Sequence, residues 1–227
     1  IVGNNIVWLI AFPIATLVLA LFAATLFDKV RYEPLAMTIV ILPTAISFTA
    51  GSVIWTQMYS FQPAGTPQIG TFNAFLGLFG INPVPWLIQP VVNNLSLIFI
   101  AVWLQLGIAT LILSSAIKNV GSEMIEAARL DGASEWRVFF SIILPNILPS
   151  VLVVLTTMII AALKVFDIVY VMTNGNFGTD VIANKLYYEL FAANNLGHAS
   201  AIAVILLFTA LPIAFINIFQ FRSEARS

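Results

Sequence analysis

Every position from Pro34 to Ile117 is uncharged, and a soluble chain has no way to bury a stretch of that length without giving its helices a polar face. Hydrophobic residues make up 60% of the chain and charged residues only 8%, where soluble domains carry about 25%. Lipid is the solvent that tolerates such a deficit.

A helix rises 1.5 Å per residue, so crossing a hydrocarbon core of about 30 Å takes roughly 20 apolar residues. Five stretches meet that length: residues 5–27, 35–59, 91–117, 147–166 and 199–221. The long uncharged run is divided by the breakers Gln62-Pro63-Ala64-Gly65-Thr66-Pro67-Gln68 and Asn82-Pro83-Val84-Pro85. Pro13 inside the first stretch removes one helical hydrogen bond and predicts a bend. A soluble helical protein is the competing reading. It fails on Leu9 to Phe27, which offers no polar group beyond Thr16 and Thr25. The predicted fold is a single, all-α, polytopic transmembrane helix bundle spanning residues 1–227.

Lysine and arginine in short connections orient such a bundle. With the C-terminus in the cytoplasm, Lys29, Arg31, Lys118, Arg129, Arg137, Arg222 and Arg226 all lie inside, leaving Lys185 outside and Lys164 near an outer helix end. Ile1 is then outside, so a protein starting in the cytoplasm needs a further span before it. The N-terminal stretch has no basic region or small-residue cleavage site of the signal-peptide kind. Ser60 to Pro90 and roughly Val171 to His198 form the longer outer segments.

Several activities are excluded by what the chain lacks. No basic block is long enough to follow a phosphate backbone, so nucleic acid is not an expected partner. No cysteine is present, and one histidine cannot build a His-Glu-x-x-His metal site. No Gly-x-Ser-x-Gly exists to pair with His198, which reads as a cap or interface residue. None of the lysines follows a glycine, so Gly-x-x-x-x-Gly-Lys is absent and the chain holds no ATP in the P-loop manner.

The connection 118–146 is the informative segment. Glu123 to Leu130 predicts two helical turns, Gly132 a sharp turn, and Ser134 the cap of a second short helix. That second helix carries Trp136, Phe140 and Ile143 at spacings of four and three, an apolar stripe that needs a partner surface, from the chain itself or from another subunit. Glu126-Ala127-Ala128, Asp131-Gly132-Ala133, Phe139, Ile142 and Leu144-Pro145 occur in an order that resembles the EAA loop of the inner-membrane permease subunits of binding-protein-dependent ABC importers, those for sugars in particular. The resemblance runs along the chain through Asn4 and Asn5, Leu42-Pro43, Ile54-Trp55, Trp86-Leu87, Trp103 and Phe166-Asp167-Ile168-Val169-Tyr170-Val171-Met172-Thr173. It is to the maltose-type and glycerol-phosphate-type subunits. Asn174-Gly175-Asn176-Phe177-Gly178-Thr179-Asp180 is similar to the variant in permeases for α-glucosides and glucosylglycerol-like osmolytes.

The resemblance implies a type I ABC importer permease of the bacterial cytoplasmic membrane, a translocation subunit rather than an enzyme. It implies that Glu126, Ala127, Ala128, Asp131, Gly132, Trp136 and Phe140 engage an ATPase. The implied partners are a second homologous permease, two cytoplasmic ABC ATPase copies that use ATP and Mg, an outer solute-binding protein, lipid and a carbohydrate substrate. No cofactor is expected on this chain. Polar side chains inside spans are costly against lipid and should face protein or a water-filled path. Among Gln57, Asn93, Asn94, Gln105, Thr110, Thr156, Thr157, Lys164 and Asp167, the candidates for sugar contact are Asn94, Gln105, Thr157 and Lys164. Trp8, Trp55 and Trp86 read as belt or packing aromatics, and Asn217 and Gln220 as marking the inner exit. Two other functions stay open on the residues alone: an ion-coupled transporter with a Lys164–Asp167 relay, and a noncatalytic assembly subunit.

Overall fold

The computed structural model describes residues 1–28, 30–63 and 65–224, without the side chains of 210 and 213–224. Lys29, Ala64, Arg226 and the side chains of Asn217, Gln220 and Arg222, to which the sequence assigns places, lie outside the described residues. All regular structure among the described residues is helical.

Helix α1 (Val2–Phe27) runs unbroken through Pro13. Its sequence carries two faces at a spacing of four. Ile6, Ile10, Ile14, Val18, Phe22 and Leu26 are exposed, while Trp8, Phe12, Thr16, Ala20 and Ala24 are buried. The buried row ends in small residues, which let helix backbones approach closely, and it packs along two later helices, α5 (Val92–Lys118) and α9 (Leu148–Leu163). The exposed row is entirely apolar, as a lipid-facing or subunit-facing surface requires.

Residues 35–59 depart from the straight span expected of them. They form α2 (Glu33–Ile41), a 3₁₀ turn (Leu42–Ala45) and α3 (Phe48–Met58), and the two arms meet at 101°. The local cause is legible. Pro43 has no N–H to give the carbonyl of Ile39, Ile46 and Ser47 are extended, and the Ser47 hydroxyl accepts a bond from the Ala50 N–H at 3.2 Å, starting a new helix. The elbow rests on α5 at Gly107, where an added Cβ would stand 2.6 Å from the Ile41 Cα, the Val40 carbonyl oxygen and the Thr44 hydroxyl.

The segment after α3, expected as a connection, is not a bare loop. It contains α4 (Thr71–Leu78), tied down by buried Asn73. The Asn73 Nδ2 donates to the carbonyls of Ser60 and Val84 at 3.2 and 3.0 Å, and its Oδ1 accepts from the Val84 N–H and the Trp86 Nε1 at 2.9 and 3.1 Å. Trp55 stacks on Phe72 at 5.5 Å, and Tyr59 on Trp86 at 5.7 Å, so these aromatics join the segment to α3. Asn73→Ala strands the Val84 N–H and the Trp86 indole in a buried site, at about 1–3 kcal/mol per orphaned group. The expected result is a lower unfolding midpoint with faster amide hydrogen exchange confined to residues 60–90; wild-type exchange there would refute the staple.

Past α5 the chain makes α6 (Ser122–Leu130), then α7 (Glu135–Val138), a π turn (Phe139–Ile143) and α8 (Leu144–Asn146). The α7–α8 arm meets α9 at 73°. Then follow α10 (Asp167–Met172) and α11 (Ile182–Tyr187), and α12 (Leu196–Glu224) closes the fold against α9.

Candidate functional sites

Three regions concentrate polar chemistry: the elbow around α6, a small cavity at the end of α9, and a loop between α10 and α11 braced by asparagines.

At the elbow, the Ser134 hydroxyl accepts from the Arg137 N–H at 3.4 Å and so caps α7 as its sequence position predicts. Gly132 has φ +80°, a left-handed turn that most side chains resist, and a Cβ built there meets nothing within 4 Å. Arg129 grips Glu135 through its Nε at 2.9 Å, bracing α6 against α7. Glu126, Ala127, Asp131 and Gly132 are exposed and Ala128 half-buried. The Glu126 carboxylate makes no hydrogen bond or ion pair with the described residues. On its other face α6 turns Ser122, Ile125 and Arg129 into a groove of about 780 Å³. Trp136 and Phe140 line that groove too, stacked on each other at 5.9 Å. The expected ATPase-contact residues therefore fall into two groups: Glu126, Ala127, Ala128, Asp131 and Gly132 outside the groove, and the two aromatics within it.

The cavity has a volume of about 220 Å³ and lies between Trp8 and Phe12 of α1, Phe48 of α3, Ala101 of α5 and residues 161 and 164–168. Lys164 and Asp167 both line it, yet no ion pair joins them. Asp167 instead accepts a bond from the Thr49 hydroxyl at 3.2 Å. The Lys164 ammonium has no partner among the described residues, and the indole N–H of fully buried Trp8 has none either. An unpartnered ammonium, a carboxylate and aromatic faces in one concavity suit a small ligand rich in hydroxyls. Of the four residues read from sequence as sugar contacts, only Lys164 lines this cavity. Thr157 returns its hydroxyl to the Val153 carbonyl at 2.8 Å, Gln105 is half-buried on α5, and Asn94 belongs to the asparagine brace. Trp8, Phe12 and Phe48 were legible only as apolar residues, since nothing in their spacing marks a cavity wall.

In the asparagine brace, Asn4 donates to the carbonyls of Gly178 and Asp180 at 2.6 and 2.8 Å, the Ile182 N–H donates to Asn5 at 2.9 Å, and Asn93 donates to the Phe177 carbonyl at 2.8 Å. Asn94 reaches Asn4 at 3.5 Å. These amides hold a loop that places Asn174 and Phe177 at positive φ and leaves Phe177 exposed. Farther along, Lys185 bonds Glu189 at 2.8 Å, which keeps the Glu189 carboxyl below its usual range. Asn195 accepts the His198 N–H at 3.1 Å, capping α12, so His198 is the cap-region residue its position suggests.

Residues 6–226 match the family model described as "Binding-protein-dependent transport system inner membrane component". The osmoprotective compounds uptake permease protein GgtC of Synechocystis sp. is 48% identical over 98% of this chain and 80% of its own length. The α-glucoside transport system permease protein AglF of Rhizobium meliloti is 40% identical over 95% of this chain and 64% of its own. Among solved structures, a bacterial ABC transporter involved in import of the acidic polysaccharide alginate aligns with a TM-score of 0.79 at 23% identity, covering 99% of this chain and 77% of that one. The MetNI methionine ABC transporter aligns at 0.66 and 16% identity over 98% and 93%.

Proposed function

Because the chain belongs to the inner-membrane components of binding-protein-dependent transport systems, we propose that it forms half of the pathway of an ATP-driven importer for a small, uncharged, hydroxyl-rich solute. As a member of that family it is a noncatalytic permease subunit with the ABC-importer permease fold. Relatives named for osmoprotective compounds and for α-glucosides support the solute class. So does a cavity smaller than the roughly 300–1,000 Å³ that drug-sized ligands fill. A single sugar ring with a short substituent suits it: the Lys164 ammonium donates to hydroxyls, Asp167 accepts from them, and Phe48 covers an apolar ring face.

Coupling is assigned to the exposed side of the α6 elbow, facing the cytoplasm. The observation that carries it is Glu126, exposed and unpaired among the described residues, beside exposed Ala127 and outside the groove that Ser122, Ile125 and Arg129 line. Small side chains let a partner groove close around the helix, and a free carboxylate supplies a charge-assisted bond to an arginine or backbone donor there. A second permease, two ATPase copies and an outer binding protein complete the assembly. The ion-coupled alternative needed Lys164 and Asp167 as a relay pair, which they do not form.

Reconstituting the permease pair with its ATPase in liposomes tests the proposal. ATP hydrolysis is expected to rise when a loaded binding protein is added, and Lys164→Ala is expected to raise the apparent KM for the solute about tenfold or more, the worth of one charge-assisted hydrogen bond. ATP-independent uptake would reject the importer, and unchanged KM with Lys164→Ala would reject the cavity as the solute site.

A further inference from the structure

The groove between the inner end of α1 and the elbow belongs to neither the solute cavity nor the exposed coupling face. Its walls are graded. Val18, Leu21 and Phe22 of α1 begin it, and Thr25 and Asp28 end it, where Lys118 and Arg129 join the rim. From Val18 to Asp28 the helix rises about 15 Å, half of a hydrocarbon core of about 30 Å. The groove thus has the depth of one leaflet, with its apolar part toward the bilayer centre and its charged part at the surface.

We propose that this groove holds one phospholipid of the inner leaflet with a primary-ammonium headgroup, of the phosphatidylethanolamine kind, one acyl chain lying between α1 and the Trp136–Phe140 stack. Charge complementarity selects this occupant over a purely anionic lipid. Asp28 makes no ion pair with the described residues and faces the ammonium. Lys118 and Arg129 are each about half exposed, and after bonding Glu33 and Glu135 they keep N–H donors free for the phosphate. The 73° bend before α9 lays the α7–α8 arm across the groove rather than along the bundle. Exposed Trp136 is then at headgroup depth, where tryptophan is favoured. The arm continues from the coupling elbow, so the lipid becomes a lateral support against which the elbow moves. The inference rests on the inner placement of the elbow in the importer reading.

The test uses the assembled permease–ATPase complex in nanodiscs doped with phosphatidylethanolamine brominated in its acyl chains, reading the tryptophan emission that Trp136→Phe removes. Saturable quenching is expected, reaching half its extent at about one-third the mole fraction needed with a phosphatidylcholine analogue, the size of preference an exposed ion pair supports. Asp28→Asn should erase that preference, and the groove-filling pair Val18→Phe with Thr25→Phe should remove the saturable component. Quenching that is linear in brominated lipid and indifferent to headgroup overturns the proposal. So does emission that no lipid quenches and that changes when the ATPase or the second permease is removed, because a protein surface then fills the groove. Wild-type quenching decides the matter even where a variant fails to fold. ATP hydrolysis in the same sample reports on the importer reading separately: coupled hydrolysis without quenching sinks only the lipid.

Discussion

Gly107→Val is expected to abolish the folded permease. An ordinary Cβ at this position would approach the Ile41 Cα and the Val40 carbonyl oxygen to 2.6 Å, and both belong to backbone that cannot rotate away. The elbow between α2 and α3 would have to lift off α5, opening a gap along the contact between α5 and both arms. Inserting one or two methylenes into a packed core costs about 1–3 kcal/mol when side chains can yield; here backbone must move, and the cost exceeds that range. Gly77→Ala is the control. It changes a glycine within α4 whose Cβ meets nothing within 4 Å, and it should hold or raise stability by up to about 1 kcal/mol through helix propensity. Monodisperse yield and unfolding midpoint of both variants in detergent check the pair. A Gly107→Val protein that behaves like wild type would mean that the crossing is looser than described.

Glu126→Lys and Gly132→Val are expected to stop transport while leaving the permease folded. Both positions are exposed, Glu126 makes no hydrogen bond or ion pair with the described residues, and a Cβ built at Gly132 meets nothing within 4 Å, so the helix bundle itself should stay folded. A lost charge-assisted bond is worth about 1.5–3 kcal/mol, which predicts ATPase retention weaker by about tenfold or more for Glu126→Lys. At Gly132 the cause is different. Its φ of +80° suits glycine, is tolerated by asparagine and resists a β-branched side chain. Gly132→Asn should therefore keep substantial uptake where Gly132→Val loses it. Co-purification of the ATPase, measured beside uptake and permease yield, separates the two effects. Retained coupling in both Glu126→Lys and Gly132→Val would remove the elbow from the mechanism.

Much of this protein was readable from one-dimensional pattern. α1 and α5, the two unbroken helices among the described residues that are long and apolar enough to cross a membrane, coincide with expected stretches, and α9 and α12 are helices over two of the others. The elbow was legible because its signals are local: a run of helix formers, a glycine where the chain reverses, a serine one position before α7. Asn94 shows where that kind of reading stops. An amide inside an apolar stretch has to face something polar, but sequence cannot say whether that is a solute or another amide; the Asn94 Nδ2 reaches Asn4 at 3.5 Å, while its Oδ1 is buried without a partner among the described residues.

The sequence by itself determined the solvent, the helical class and the exposed turn, because each follows from a requirement that a residue and its near neighbours must meet on their own: lipid forbids unpaired backbone, and a positive φ selects glycine. Tertiary structure alone decided how the α2–α3 bend seats against Gly107, which asparagines brace the loop before α11, and which aromatic side chains share a cavity wall with Lys164. Those outcomes depend on groups far apart in the chain coming within a few ångströms, as Asn5 does with Ile182 at 2.9 Å. Neither partner carries a mark of the other until the helices pack.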